Sequence, residues 1–142
     1  MLELFFGHKT RVLLVNGNRR ESGLLSDFLP QGEFEVIKTG TARAGLKAAQ
    51  KESPEIILLD SELPDGNSWA TLSDLKADLR TSSIPVLMCT PMGDPVSYEK
   101  AHTMGAQGCI PKPLKKEVVM ARVARRLNRE AGKTPVFRKG SF

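Results

Sequence analysis

Four short apolar runs in this chain each end at a polar side chain able to do chemistry. Residues 12–15 end at Asn16, 56–59 at Asp60, 84–89 at Thr90 and 108–111 at Lys112. Asp60 is the sharpest of these. Ile56-Ile57-Leu58-Leu59 reads as a strand buried on both faces, and Ser61-Glu62-Leu63-Pro64-Asp65-Gly66 turns the chain immediately after it. A carboxylate delivered in this way beside an ammonium can act as a nucleophile whose charge is neutralised locally as it changes. Plainer roles are open for each residue. Asp60 could end a strand or cap the next helix, Asp60 and Lys112 could form a structural ion pair, and Thr90 could be a satisfied strand-end hydroxyl.

The elements that must position these residues alternate along the chain. Arg11-Val12-Leu13-Leu14-Val15 is a first strand closed by Asn16-Gly17-Asn18. Leu24, Leu25, Phe28 and Leu29 give the apolar face of a helix over about 20–29, stopped by Pro30-Gln31-Gly32. The run 34–38 alternates imperfectly, as an edge strand would, and Thr41 is the N-cap expected for an alanine-rich helix through Lys51. After the Asp60 strand, Trp69, Leu72, Leu75 and Leu79 recur at helical spacing until Thr81-Ser82-Ser83. A fourth strand over 84–90, a modest helix over 96–104 closed by Gly105, a short fifth strand from Gly108 and a last helix over about 115–129 follow. Strands alternating with helices five times, joined by short connections, predict a parallel sheet covered on both faces, which is the doubly wound α/β class. In such a sheet the strand ends lie on one side near the topological switch point, so residues 16, 60, 90 and 112 should converge there.

The bulk properties narrow the function classes. The chain has 142 residues, 40% hydrophobic and 26% charged, which suits one ordinary domain able to bury a single core without staples. No run approaches about 18 consecutive apolar residues, so neither a membrane span nor a secretory signal is expected. Cys89 and Cys109 lack metal-ligand spacing and read as reduced core thiols of a cytoplasmic protein. His8 and His102 likewise lack ligand spacing. The net charge of +5 is uneven, because residues 111–142 hold ten of the 21 Lys and Arg but only two of the 16 acids. That organisation divides into a flank over 1–9, a domain over 10–130 and a basic tail over 131–142.

One family fits the ordered set. The apolar run into Asp60-Ser61-Glu62-Leu63-Pro64-Asp65-Gly66, then Ile84-Pro85-Val86-Leu87-Met88-Cys89-Thr90, then Gly105-Ala106 leading to Lys112-Pro113, resembles the CheY-like receiver domain of two-component response regulators over about residues 10–130. The resemblance implies a flavodoxin-like fold with five parallel strands in the order 2-1-3-4-5, acting in signalling and not as an enzyme. It implies that Asp60 accepts a phosphoryl group from a partner histidine kinase, that the Thr90 hydroxyl follows that group and that Lys112 supplies a counter-charge. It also implies a cis bond before Pro113. The only cofactor implied is Mg²⁺, and only if the phosphorylation site works. In the family the ion is held by two acids after the first strand, by the phosphoacceptor and by a backbone carbonyl that here belongs to Glu62.

The chain departs from that pattern at the metal. Asn16 and Gly17 stand where the family has its acidic pair, and a small hard cation depends on charged oxygen ligands. Asp60 against Lys112 brings the pocket's formal charge near zero, with Glu62 able to swing in, and the loss of two carboxylates should weaken Mg²⁺ binding by several kcal/mol. Cys109 stands where the family usually has an aromatic ring that reports the state of the site, Pro91 replaces a small residue and Ser68 a common glycine. These departures point to an atypical, or pseudo-, receiver acting through protein contacts on the face of its fourth helix, fifth strand and fifth helix. The partner would be a kinase or an output protein.

Two other classes of function fit the sequence less well. A small-molecule or nucleotide site at the same strand ends is disfavoured because Asn16-Gly17-Asn18 offers a single glycine. Nucleic acid binding through Arg122, Arg125, Arg126 and Arg129 is disfavoured because the segment lacks a recognition pattern, leaving a solvated basic face or a patch for an acidic protein. Leu2, Leu4, Phe5 and Phe6 suit contact with the domain or a partner better than lipid.

Overall fold

The run Ile56-Ile57-Leu58-Leu59-Asp60 is the central strand of the sheet, and every one of its residues is buried. The computed structural model describes residues 8–66 and 68–131. Within them the strands are β1 (Thr10–Val15), β2 (Phe34–Thr39), β3 (Ile56–Asp60), β4 (Val86–Pro91) and β5 (Gly108–Lys112). The helices are α1 (Arg19–Phe28), α2 (Ala42–Glu52), α3 (Ser68–Ala77), α4 (Pro95–Thr103) and α5 (Lys116–Ala131). All pairings are parallel and the order is β2-β1-β3-β4-β5. This is the flavodoxin-like arrangement expected from the sequence.

Strand parity divides the core. Val12, Leu14, Ile56, Leu58, Leu87, Cys89 and Ile110 face Leu25 of α1 and Val119 and Val123 of α5. Leu13, Val15, Ile57, Leu59, Val86 and Met88 face Ala49 of α2, Leu72 and Leu75 of α3 and Ala101 of α4. Burying each Leu, Ile or Val contributes about 1.5–3 kcal/mol, so these two layers hold the sheet. β2 and β5 are the edge strands, and the partly exposed pattern of β2 with Glu35 and Lys38 outward blunts its edge.

The helix starts follow their caps. Asn18 Oδ1 accepts from Glu21 N at 3.0 Å and Thr41 Oγ1 from Ala44 N at 3.0 Å. Asp65 adds a second cap to α2 from another loop, its two carboxylate oxygens accepting from Ala42 N at 2.9 Å and Arg43 N at 3.2 Å. These hydrogen bonds, Ala42's first, hold its carboxyl below the ordinary carboxylate range.

Three expectations are corrected. Leu79 does not join the apolar face of α3: the helix ends at Ala77 and Leu79 is 94% exposed. The buried Thr81 takes up the slack in that turn, its hydroxyl donating to the Leu75 carbonyl at 2.7 Å. Leu24 is 38% exposed, since the buried stripe of α1 runs through Leu25 and Leu29. Cys109 is only half-buried, unlike the buried Cys89, and both are free thiols. No described helix is long and apolar enough to cross a membrane. Residues 2–6, the tail from 132 and the side chain of Arg129 lie outside the described residues.

Two helical glycines differ in a way that can be measured. A Cβ on Gly45 would lie 2.6 Å from Val15 Cγ1, so α2 sits against β1 with no room for a methyl group, whereas a Cβ on Gly23 would meet nothing within 4 Å. Ala gains about 1 kcal/mol over Gly in a helix interior, while overpacking costs about 1–3 kcal/mol. Urea denaturation should therefore show Gly23→Ala more stable than the parent by roughly 0.5–1 kcal/mol and Gly45→Ala less stable. A stabilised Gly45→Ala would contradict the close helix–strand contact.

Candidate functional site

The same parity that divides the core assembles the site. Asn16 continues the series of Val12 and Leu14, Asp60 that of Ile56 and Leu58, and Lys112 that of Ile110, so all three emerge on the α1 side of the sheet. Lys112 Nζ lies 2.6 Å from Asp60 Oδ1, and the two side chains are 14% and 2% exposed. Thr90 has the opposite parity, that of Met88. Its hydroxyl is fully buried and has no hydrogen-bond partner among the described residues.

A third ionic group, Glu21, completes the cluster. Glu21 Oε1 lies 3.0 Å from Lys112 Nζ and accepts from Asn16 Nδ2 at 3.2 Å. Its signal was the spacing Asn18-x-x-Glu21, a cap followed three residues later by an acid. In that motif the acid returns to the backbone N–H of the cap residue. Here the Asn18 N–H already donates to Asn16 Oδ1 at 2.8 Å, so the Glu21 carboxylate turns into the site instead. The pocket's second acid is thus Glu21 and not Glu62, whose side chain is exposed. With two carboxylates and one ammonium the cluster carries a formal charge of one negative unit, where near zero was expected.

Burial is the largest influence on Asp60 and holds its carboxyl above the ordinary range against the opposing pull of Lys112, with Glu21 adding to the rise and the Glu62 backbone N–H lowering it. Burial acts to lower Lys112, but hydrogen bonds to Asp60 and Glu21 outweigh it and the lysine is held charged more firmly than usual. The Cys89 thiol beneath is pushed far up by burial first and by Asp60 second. It is a core group without nucleophilic character.

The loops around the cluster are tightly placed. Ser68, the first residue of α3, donates its hydroxyl to the Asp60 carbonyl at 2.7 Å. A Cβ on Gly17 would stand 2.6 Å from Pro64 Cδ and 3.0 Å from the Gly40 carbonyl, so the loop after β3 closes directly over Gly17. Asp65 holds that loop to the start of α2. On the other side Met92 N donates to the Lys112 carbonyl at 3.1 Å, and the peptide bond from Lys112 to Pro113 is cis. Pro91 ends β4 exposed. The Arg122 guanidinium donates to the Cys109 carbonyl, tying α5 to β5 where an aromatic ring was expected in the family.

The donor set is a poor match for Mg²⁺, which receiver domains generally use at the phosphorylation site. Asn16 commits its amide to Asn18 and Glu21, Gly17 has no side chain and is covered by Pro64, and an ammonium stands against the Asp60 oxygen. Among the described residues no group of three or more His, Cys, Asp or Glu side chains is placed to hold a metal ion. His8 instead lies 3.4 Å from Glu55.

Comparison with known proteins agrees with this architecture. Residues 12–124 match the response regulator receiver domain family. The transcriptional regulatory protein CpxR homolog of Haemophilus influenzae is 34% identical over 124 residues, covering 86% of this chain and 52% of that protein. The DNA-binding dual master transcriptional regulator RpaA of Synechocystis is 30% identical over 131 residues, covering 92% of this chain and 54% of that protein. The chain thus spans about half the length of these curated relatives. Among solved structures, the chemotaxis response regulator CheY4 of Vibrio cholerae superposes with a TM-score of 0.78 at 23% identity, covering 84% of this chain and 99% of that one. With the parallel 2-1-3-4-5 sheet and residues 12–124 matching the family, this chain belongs to the response regulator receiver domains of two-component signalling.

Proposed function

We propose that this chain is an atypical receiver domain that signals through protein contacts, with weak or absent Mg²⁺-dependent phosphorylation at Asp60. The observation that carries this reading is the pair of positions after β1. One holds an amide already committed to Asn18 and Glu21, and the other a glycine on which Pro64 rests. Phosphoryl transfer to a carboxylate needs cations to neutralise the oxygens as charge develops, and the cation set against Asp60 here is Lys112. Asp60 is then the buried member of an ion pair, and Thr90 and Lys112 retain family positions without a working metal. The contact surface is the face of α4, β5 and α5, which carries Val96, 72% exposed on α4, and the half-buried Cys109 on β5. A kinase or an output protein is the partner class.

A conventional phosphorylatable receiver, taking its phosphoryl group from a histidine kinase onto Asp60, is favoured by one observation, the buried and unpartnered Thr90 hydroxyl. The two readings separate cleanly. Incubation with acetyl phosphate and Mg²⁺ followed by intact-mass measurement should leave the chain unmodified. A stoichiometric gain of one phosphoryl group that disappears in Asp60→Asn would overturn the metal-independent reading.

The electrostatics of Asp60 give a further expectation. Its carboxyl is held above the unfolded value, so below neutrality the native state binds more protons than the unfolded chain and this group's contribution to stability falls as pH rises. Thermal melts of wild type and Asp60→Asn between acidic and neutral pH should show wild type gaining on the variant as pH is lowered. A wild-type advantage that instead grows toward neutral pH would mean that Lys112 outweighs burial at Asp60.

A further inference from the structure

We propose that Glu21 is a positioning residue for Lys112. With Asp60 it holds the ammonium between two carboxylates, so that the lysine and not a divalent cation neutralises the site. This inference rests on the metal-independent reading above and says what has taken the place of the metal.

The geometry is that of one cation shared by two acids, 2.6 Å from Asp60 Oδ1 and 3.0 Å from Glu21 Oε1. Two features of the chain build it. The first is the side-chain relay at the start of α1. Asn16 Oδ1 occupies the Asn18 N–H that Glu21 would otherwise cap, and Asn16 Nδ2 then donates to Glu21 Oε1 and fixes the carboxylate's direction. An aspartate at position 16 would present no N–H to Glu21 and would repel it, so the amide that weakens a metal site is also the group that turns Glu21 inward. The second is the burial gradient. Asp60 is 2% exposed, Lys112 14% and Glu21 22%, so the cluster's excess negative charge sits at its wettest member, where it costs least. A buried Asp60 left without its cation would be strongly disfavoured, and a second carboxylate beyond the lysine keeps the ammonium in place.

The chemistry predicts a latent cation site beneath the lysine. Removing the ammonium leaves two facing carboxylates, a set that attracts a divalent ion. Mn²⁺ serves as the probe, its free concentration read by electron paramagnetic resonance. Wild type and Glu21→Gln should bind no Mn²⁺ in the millimolar range. Lys112→Met should bind at least about tenfold more tightly than wild type, and Lys112→Met with Glu21→Gln should lose that gain. Equal binding by the single Lys112→Met variant and the double variant would overturn the role of Glu21 while leaving the metal-independent reading standing. Failure of folded Lys112→Met to bind would overturn it as well. Binding by wild type would overturn the metal-independent reading, and this inference with it.

Should Lys112→Met fail to fold, the isosteric Glu21→Gln decides. Detected by ¹⁵N NMR at neutral pH, the wild-type Lys112 ammonium should give a resolved, slowly exchanging signal. In Glu21→Gln that signal should shift and exchange faster. An unchanged signal would show that Glu21 does not hold the lysine and would overturn the proposal.

Discussion

A buried carboxylate at the end of the central strand has to be neutralised, and that constraint organises the functional end of this molecule. Asp60 is delivered there by four aliphatic residues that cannot be moved without dismantling both core layers. Burial pushes its carboxyl above the ordinary range. Lys112, at the end of a strand two places away in the sheet, supplies the charge, and the short distance between them shows how little room separates the elements that carry them. A buried pair of this kind adds little net stability over an apolar one, but leaving either member alone is costly. The pair therefore acts on specificity: β1, β3, β5 and the start of α1 must meet in one register for it to form.

The surrounding loops are fitted to the same end of the sheet by close contacts and not by added charge. Pro64 rests on Gly17, Asp65 clamps its own loop to the first turn of α2, and Ser68 ties the start of α3 to the Asp60 carbonyl. At Gly17 the contact is with the Pro64 ring. Gly17 is thus more than a missing ligand, because any side chain at that position would have to displace the loop after β3.

Much of this was legible in the sequence. The strands, their closing polar residues and the N-cap of α2 follow from apolar runs, turn residues and cap chemistry, all local properties. The convergence of Asn16, Asp60 and Lys112 on one face is arithmetic on strand parity once the core faces are assigned, and the same parity sets Thr90 apart, where all four were expected to meet. The errors are equally local in origin. Leu79 keeps helical spacing but falls beyond the end of α3, and Leu24 sits beside the buried stripe of α1 instead of on it.

What the sequence alone determined was the fold, the family and the identity of the buried acid and its lysine, because runs and intervals along one chain carry that information. Only the tertiary structure decided which second acid enters the site. Glu62 is two residues from Asp60 yet faces solvent, whereas Glu21 is 39 positions away and touches the same ammonium. The difference arises because the Asn16 side chain takes the N–H that Glu21 would have capped, a competition between two local motifs whose outcome depends on where β1 and α1 meet. Contacts such as Pro64 on Gly17 and Arg122 on the Cys109 carbonyl are likewise set by the approach of separate elements, and no spacing in the chain encodes that approach.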